Sequence, residues 1–339
     1  MAKVQSKSET CKSFGLKLLK RNKFKYFGYH LTGMLYYQNP DSELAKSYRN
    51  SFYCCNHIEV TPEGLAISKW CKNRWCPPCQ RNKMGAMINA YADRLQLEKE
   101  LWFVTLSRRN VGAADLKAEL DRLQELWRTI AMSRRYKRAI KEGVIGIRKL
   151  ECTYHGTQTL KDGSPDPWFD TFHPHFHILI SSRELAKWMV EEWLRLSPDS
   201  SDRQSQNCKK VNSDGGYLEI FKYFTKLIAK DSSGKRFFDA LNMNTIFEAM
   251  QHRRVYFRLG TGKSWGVAEV NEEDIEQAAV LDTDASSGVY KWEEFEQVFG
   301  YYEVNSGEVL TELPKSGSLY DMVTDSEQRI GVPTTFQSP

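Results

Sequence analysis

Two hydrophobic periods alternate through the middle of the chain. Over residues 80–100 apolar groups recur at Met84, Met87, Ile88, Tyr91 and Leu95, the three-to-four spacing of a helix with one buried face. LWFVTLS, 101–107, switches to a period of two: Phe103, Thr105 and Ser107 share one face of a strand, and Val104 and Leu106 the other. The helical period returns across 113–142, with Leu116, Leu120, Leu123, Trp127 and Ile130 as its buried stripe. GVIGIRKLECTY, 143–154, follows a glycine and is β-branched, so it predicts a strand with Lys149, Glu151 and Thr153 on one face and Leu150 and Cys152 on the other. A loop at 155–172 connects it to HPHFHILI, 173–180, a strand with three histidines on one face and Phe176, Ile178 and Ile180 on the other. Ser181 and Glu184 offer a capping box to a helix carrying Leu185, Trp188, Met189, Trp193 and Leu196.

After a Ser-, Asp- and Gly-rich loop at 197–216, residues 217–230 fit a helix that gathers Ile220, Phe221, Phe224, Leu227 and Ile228 on one side. RRVYFRLG, 253–260, predicts a further strand. Together these elements predict an α+β fold, an antiparallel sheet with helices on one face. Residues 1–50 are polar, Lys-rich and weakly patterned apart from Tyr26, Phe27 and Tyr29, so they read as a basic, flexible arm with a few packed anchors. Beyond 267 three readings stand open: a tail folded back on the body, a partner-recruiting tail, or a small appendage with a helix at Val289–Phe299 and disorder toward Pro339. The organisation predicted is therefore an arm (1–50), a cysteine-rich element with its helix (51–100), a central domain (101–266) and an appendage (267–339).

Charge sharpens this division. Residues 1–266 carry 45 Lys and Arg against 27 Asp and Glu, and 267–339 carry 3 against 16, so a body of net +18 is joined to a tail of net −13. A basic body attracts polyanions, of which nucleic acid is the commonest large partner. A hydrophobic content of 41% supplies a packed interior, yet no apolar run approaches the ~18 residues of a membrane span. The N-terminus lacks the apolar segment of a signal peptide, which places the chain in the cytosol, away from membranes. There its eight cysteines are better read as thiols or metal ligands than as disulfides.

Three of the seven histidines fall within five residues of one strand. Two imidazoles one alternation apart, His175 and His177, can share a metal ion, and the apolar opposite face anchors them. A polar-faced strand that happens to hold histidines is the competing reading. If the 143–154 strand lies alongside, Glu151 is the best-placed oxygen donor, and two histidines with one carboxylate suit Mg²⁺ or Mn²⁺ with positions left for a substrate phosphate. Glu151 as an ordinary solvent-facing strand residue stands beside that. Cys76-Pro77-Pro78-Cys79 aims two sulfurs at one ion, with Cys71 and either Cys54 or Cys55 completing a tetrahedron of structural Zn²⁺; His57 is a substitute for one thiolate. A redox pair and buried free thiols are the rivals.

On the predicted 217–230 helix, Glu219, Tyr223, Lys226 and Lys230 form one polar stripe. Near a metal, such a tyrosine is a candidate nucleophile on phosphorus with lysines lowering its pKa; without one, the stripe is a solvated face. Arg134, Arg135 and Arg138 at the basic end of the 113–142 helix, Lys222 beside the tyrosine, Lys230, and Arg253 and Arg254 are candidates for DNA contact. Gly262-Lys263-Ser264 is not a phosphate-binding P-loop, because Phe257 stands where its first glycine belongs and Trp265-Gly266 does not open a helix. Strand separation therefore falls to a separate helicase.

FVTLS at 103–107, HPHFH at 173–177 and the Glu219-to-Lys226 run resemble, in order and spacing, the three motifs of HUH endonucleases, and more closely the replication initiators of bacterial rolling-circle plasmids. CKNRWCPPC, 71–79, resembles a further feature of that group, and the likeness spans roughly 54–262. The resemblance implies an HUH-type palm in which His175 and His177 hold a divalent cation, Tyr223 attacks a phosphodiester to leave a 5′-phosphotyrosine and a free 3′-OH, and Glu219 activates water at termination. It implies as partners plasmid double-strand origin DNA, single-stranded or hairpin at the nick site, and host helicase and DNA polymerase. Conjugative relaxases and single-strand transposases share the motifs; a zinc-dependent DNA-binding protein without catalysis is the remaining alternative.

Overall fold

A computed structural model describes residues 7–156, 158–160, 162–211, 216–221, 229–230, 236–237 and 239–314, with side chains for all of these except 7–16, 229–230 and 236–237. In chain order its elements are α1 (Lys7–Gln38), α2 (Ala45–Phe52), β1 (His57–Val60), β2 (Leu65–Ser68), α3 (Pro77–Gln96), β3 (Trp102–Ser107), α4 (Leu116–Met132), α5 (Arg134–Lys141), β4 (Gly146–His155) and β5 (Thr171–Ile180). There follow α6 (Arg183–Leu196), β6 (Asn207–Lys210), a 3₁₀ turn (Gly216–Phe221), β7 (Ala229–Lys230), β8 (Arg236–Phe237), α7 (Ala240–Ala249), β9 (Tyr256–Leu259), α8 (Gly262–Trp265) and α9 (Glu272–Ala279). Strands β10 (Leu281–Asp282), β11 (Gly288–Phe295), β12 (Val298–Glu303) and β13 (Val309–Glu312) complete the α+β fold. Met87–Glu269 form one compact unit, and the residues up to Ala86 with those from Val270 form the other. Among the described residues no helix is long and apolar enough to cross a membrane.

The unit from Met87 to Glu269 is built on a five-stranded antiparallel sheet in the order β6-β3-β5-β4-β9, so the histidine strand is central. Its apolar face carries Phe176 and Ile178, both fully buried, under α4 and α6, where Trp127 and Trp193 meet the Phe176 ring edge-on at 6.0 and 6.1 Å. Burial of an aromatic side chain of this kind is worth about 2–3 kcal/mol and holds the strand flat beneath its histidines. Arg148 joins this layer, its guanidinium 4.4 Å from the Phe176 ring centre and 4.8 Å from that of Trp127, and burial lowers its pKa to about 10.

Several expectations are corrected here. The single helix expected over 113–142 is broken at Ser133, which is extended and caps α5 by accepting from the Tyr136 amide at 3.2 Å. The cap of α6 is Ser182 rather than Ser181, whose hydroxyl instead accepts from the Ile145 amide. Strand β6 lies within the loop expected at 197–216, and 217–230 does not form one helix: it opens as a 3₁₀ turn and ends in β7.

In the other unit, six strands run β10-β2-β1-β11-β12-β13, all neighbours antiparallel. Helix α1 packs against β10 and β13, the two edges, as well as β12, so the sheet curls around it. Leu18 joins Ile58, Val60, Tyr290, Trp292 and Tyr301 in the core of this unit. The arm expected to be flexible over 1–50 thus contains a core helix, α1. Its disguise is polar: Arg21, Asn22, Lys25 and Thr32 are buried but bonded, with Arg21 donating to Ala279 O and Asn22 to Phe299 O and Thr311 O at 3.3 Å. The helix expected at Val289–Phe299 is strand β11 and the start of β12, with Tyr290 and Trp292 inward. The acidic segment therefore supplies four of the six strands of this sheet rather than forming an appendage, because β11 pairs directly with β1.

Candidate active site and metal centres

On the histidine face of β5, antiparallel register sets Glu151 of β4 opposite His175, and Lys149 of β4 and Thr105 of β3 on either side of His177. The Nε2 atoms of His175 and His177 are 3.1 Å apart, and Glu151 Oε2 lies 3.3 and 3.1 Å from them. Three lone-pair donors at such spacing match one face of an octahedron: ligands at ~2.1 Å from a cation and at right angles stand ~3.0 Å apart. Each ring is oriented from behind. His175 Nδ1–H donates to its neighbour's carbonyl, His173 O, at 3.0 Å, and His177 Nδ1 is 3.1 Å from Thr105 Oγ1, which leaves both Nε2 atoms aimed at the shared point. Donor type and orientation therefore fit a hard or borderline divalent cation.

Lys149 was passed over in the sequence, although it shares a strand face with Glu151. Its ammonium, 2% exposed, pairs with Glu151 Oε1, so one carboxylate oxygen is engaged by lysine while Oε2 faces the histidines. Thr105, the hydroxyl behind His177, was likewise not singled out. An i, i+2 partner of Glu151 and a hydroxyl on the adjoining strand's matching face were the available signals.

Glu219 sits half-buried on the 3₁₀ turn, which packs against β5. Tyr223, Lys222 and Lys226 lie outside the described residues, as does the Lys230 side chain; the Lys230 backbone pairs with Arg236. Tyr217 is buried, and its hydroxyl accepts from Gln96 Nε2 at 2.5 Å, which ties it into packing. The candidate DNA contacts scatter. Arg134, Arg135 and Arg138 are exposed on α5, which packs on α4 in the layer covering the opposite, Phe176 face of the sheet. Arg253 is used internally, bonded to Asp121 Oδ1 at 2.7 Å, Ala249 O at 2.9 Å and Lys117 O at 3.3 Å, and Arg254 pairs with Glu269.

The sulfurs of Cys54, Cys71, Cys76 and Cys79 converge in the other unit, with Cys54–Cys79 at 3.5 Å and Cys71–Cys79 at 3.6 Å. Tetrahedral zinc with Zn–S of ~2.3 Å would set its sulfurs ~3.8 Å apart. Cys55 is not in the cluster: its φ of 60° turns it away, and the Tyr301 hydroxyl lies against its carbonyl at 2.7 Å and its sulfur at 3.6 Å. His57 is exposed on β1. The cluster is braced by the Cys71 amide, which donates to Cys54 Sγ at 3.3 Å, and by Lys25, buried in α1, which donates to Phe52 O and Cys54 O. Hydrogen bonds from Cys54, Cys76 and Cys79 hold the Cys71 thiol well below its usual range, whereas burial pushes Cys76 up and the bond to Cys71 pushes Cys54 up. Filling this site with zinc must therefore expel protons.

The model of a family described as "Replication protein" matches residues 63–196, a span holding three of the four clustered cysteines and the whole Glu-His-His triad. A "Protein rep" of Staphylococcus aureus is 31% identical over 172 residues, which are 46% of this chain and 69% of that protein. A "Protein rep" of Bacillus amyloliquefaciens is 26% identical over 281 residues, 66% of this chain and 77% of that protein, and one from Bacillus sp is 32% identical over 128 residues, 35% and 36% of the two chains. No solved structure matches. With two metal-ligand clusters of different chemistry on a chain that runs alongside these relatives for most of the first two, the protein belongs to the replication-protein (Rep) family of rolling-circle plasmid initiators.

Proposed function

We propose that this replication initiator nicks and rejoins one strand at a plasmid double-strand origin, with Tyr223 as nucleophile. The observation that carries the reading is the triangle of His175, His177 and Glu151 donor atoms, 3.1–3.3 Å on a side, packed beside the turn that bears Glu219 four residues ahead of Tyr223. His175, His177 and Glu151 would hold Mg²⁺ or Mn²⁺; when bound, such a cation polarises a phosphodiester oxygen and offsets charge developing on phosphorus. The Tyr223 oxygen forms a bond to phosphorus as its proton passes to a nearby base or water, and the P–O3′ bond breaks with its electron pair on O3′, which takes a proton from water to become the 3′-OH that primes a host polymerase. At termination Glu219 takes a proton from a water whose oxygen bonds to phosphorus at the regenerated nick site as the P–O3′ bond there breaks, and the 3′-OH so freed attacks the phosphotyrosine, rejoining the strand and releasing Tyr223. Lys226, three residues beyond the tyrosine in sequence, favours its phenolate, and Lys222 beside it contacts the DNA backbone. The four-cysteine cluster holds structural zinc, and a host helicase separates the strands.

The test is a supercoiled plasmid carrying the origin, incubated with protein and Mn²⁺. Relaxation together with a covalent protein–DNA adduct is expected from the wild type, and neither from Tyr223→Phe. If Tyr223→Phe relaxes plasmid as fast as wild type, the chain is a zinc-dependent DNA-binding protein or uses another nucleophile. Relaxases and transposases of the same class are separated by requiring the origin: activity confined to conjugative or transposon-end sequences reassigns the substrate.

A further inference from the structure

The histidine face of the sheet is closed on one flank and open on the other. Register sets Asn207, Thr105, His177, Lys149 and Tyr256 in one row across β6, β3, β5, β4 and β9, with Lys209 beside Phe103 in the row next to it. Toward β9 the row is buried: Tyr256 lies over Lys149, and its hydroxyl donates to Phe221 O of the 3₁₀ turn at 3.3 Å. Toward β6 the side chains reach solvent. Phe103, Thr105 and Asn207 are half-buried and Lys209 is exposed. The Phe103 ring centre is 5.2 Å from that of His177, so an aromatic platform adjoins the triad on this flank.

The edge is also positive from behind. Cys208 alternates to the opposite face, where burial pushes its thiol up against the downward pull of Lys187, Arg203 and Arg183, all exposed. Lys210 stands next to them, 3.7 Å from Glu100. These cations stand on the same side of the sheet as the basic helix α5, so at this edge it is Lys209, opposite Phe103, that stands on the triad's face. A nucleic acid gripped by α5 alone would have its phosphates on the wrong side of β5 for the triad.

We propose that a single strand of DNA crosses the β6 edge to reach the triad, with Lys209 on a backbone phosphate and Phe103 stacked on the base next to the phosphodiester to be cut. The proposal rests on reading the triad as the cleavage site. A single strand suits the flank better than a duplex because an aromatic face binds an unpaired base by stacking, and a duplex hides its base faces.

The test is fluorescence anisotropy with a labelled single-stranded 20-mer and the same sequence as duplex, without added divalent cation so that nothing is cut. Lys209→Glu weakens single-strand binding at least about tenfold and lowers the slope of log K against log salt by about 0.7 or more, the contribution of one phosphate contact. Phe103→Leu, which keeps an apolar side chain in place, weakens it about tenfold and abolishes the quenching of a 2-aminopurine placed at the nick site. Arg122→Glu, on the helical face, serves as control and leaves both readouts unchanged. Wild-type affinity in both Lys209→Glu and Phe103→Leu, with unaltered melting temperatures, overturns the path, as does a wild type that ignores the single strand. Failure of the nickase reading looks different: the two variants lose single-strand affinity, yet the wild type forms no covalent adduct with Mn²⁺.

Discussion

The two ligand clusters differ in what surrounds them. In the unit containing α1, four sulfurs point inward from a loop and a helix start, three of the four cysteines are buried, and a backbone amide and a buried lysine close the space behind them. In the unit built on β5, one carboxylate and two imidazoles converge from two neighbouring strands, three donors on one side of the point they share. Four ligands leave a cation no vacant position, and three leave room for substrate oxygen. Enclosure by thiolates suits a staple; an incomplete set on a rigid sheet suits a reaction centre. The comparison therefore predicts that damage to one cluster costs stability and damage to the other costs chemistry.

The largest effect belongs to the cysteines. Cys76→Ser, or stripping zinc with a chelator, is expected to unfold the α1 unit, because metal-binding energy on the order of 10 kcal/mol is folding energy in such small sites. Circular dichroism with metal analysis checks it, and retention of zinc by Cys55→Ser but not Cys76→Ser tests the ligand set. The same measurement run toward acid should show zinc released as pH falls, since protons compete for the Cys54 and Cys76 thiols that their surroundings already push up. Next, His175→Ala should keep a melting temperature near wild type while nicking falls about a thousandfold, the several kcal/mol that cation polarisation supplies. Loss of fold in His175→Ala and none in Cys76→Ser would invert the comparison.

Lys149→Met sharpens it further. Without its ammonium the buried Glu151 carboxylate loses a partner, a change of about 3 kcal/mol in cation-free protein. Saturating Mn²⁺ is expected to restore part of the lost melting temperature, because the cation supplies the missing positive charge; equal loss with and without Mn²⁺ would show the pair to be purely structural. The smallest effect is Thr105→Val, which removes the oxygen behind His177 and should cost about tenfold in Mn²⁺ affinity by calorimetry, with no change in zinc content.

How much of this was legible depended on distance along the chain. The period-two stretches at 101–107, 143–154 and 173–180 and the cysteine spacing describe groups whose relative placement is set by a few bonds, and the strands appear where the alternation predicted them. The run at 217–230 was harder: its apolar spacing suits a helix, but the backbone turns 3₁₀ at Gly216–Phe221, where four of the six residues are apolar or aromatic side chains buried against their surroundings. Tertiary packing overrode the local period.

The chain's own pattern determined the histidine strand, the class of ligand at each cluster and the split between a basic body and an acidic end, because all three depend on residue type and near-neighbour spacing. Only the folded molecule decided that Cys54 rather than Cys55 joins the sulfurs, that Lys149 stands behind Glu151, and that the polar N-terminal segment is a core helix. The first and last of these turn on partners hundreds of residues away: the Tyr301 hydroxyl meets Cys55 O, Arg21 meets Ala279 O, and Asn22 accepts from Trp292 Nε1 at 2.9 Å. A buried polar group reads as a surface residue until the distant acceptor that satisfies it is in place.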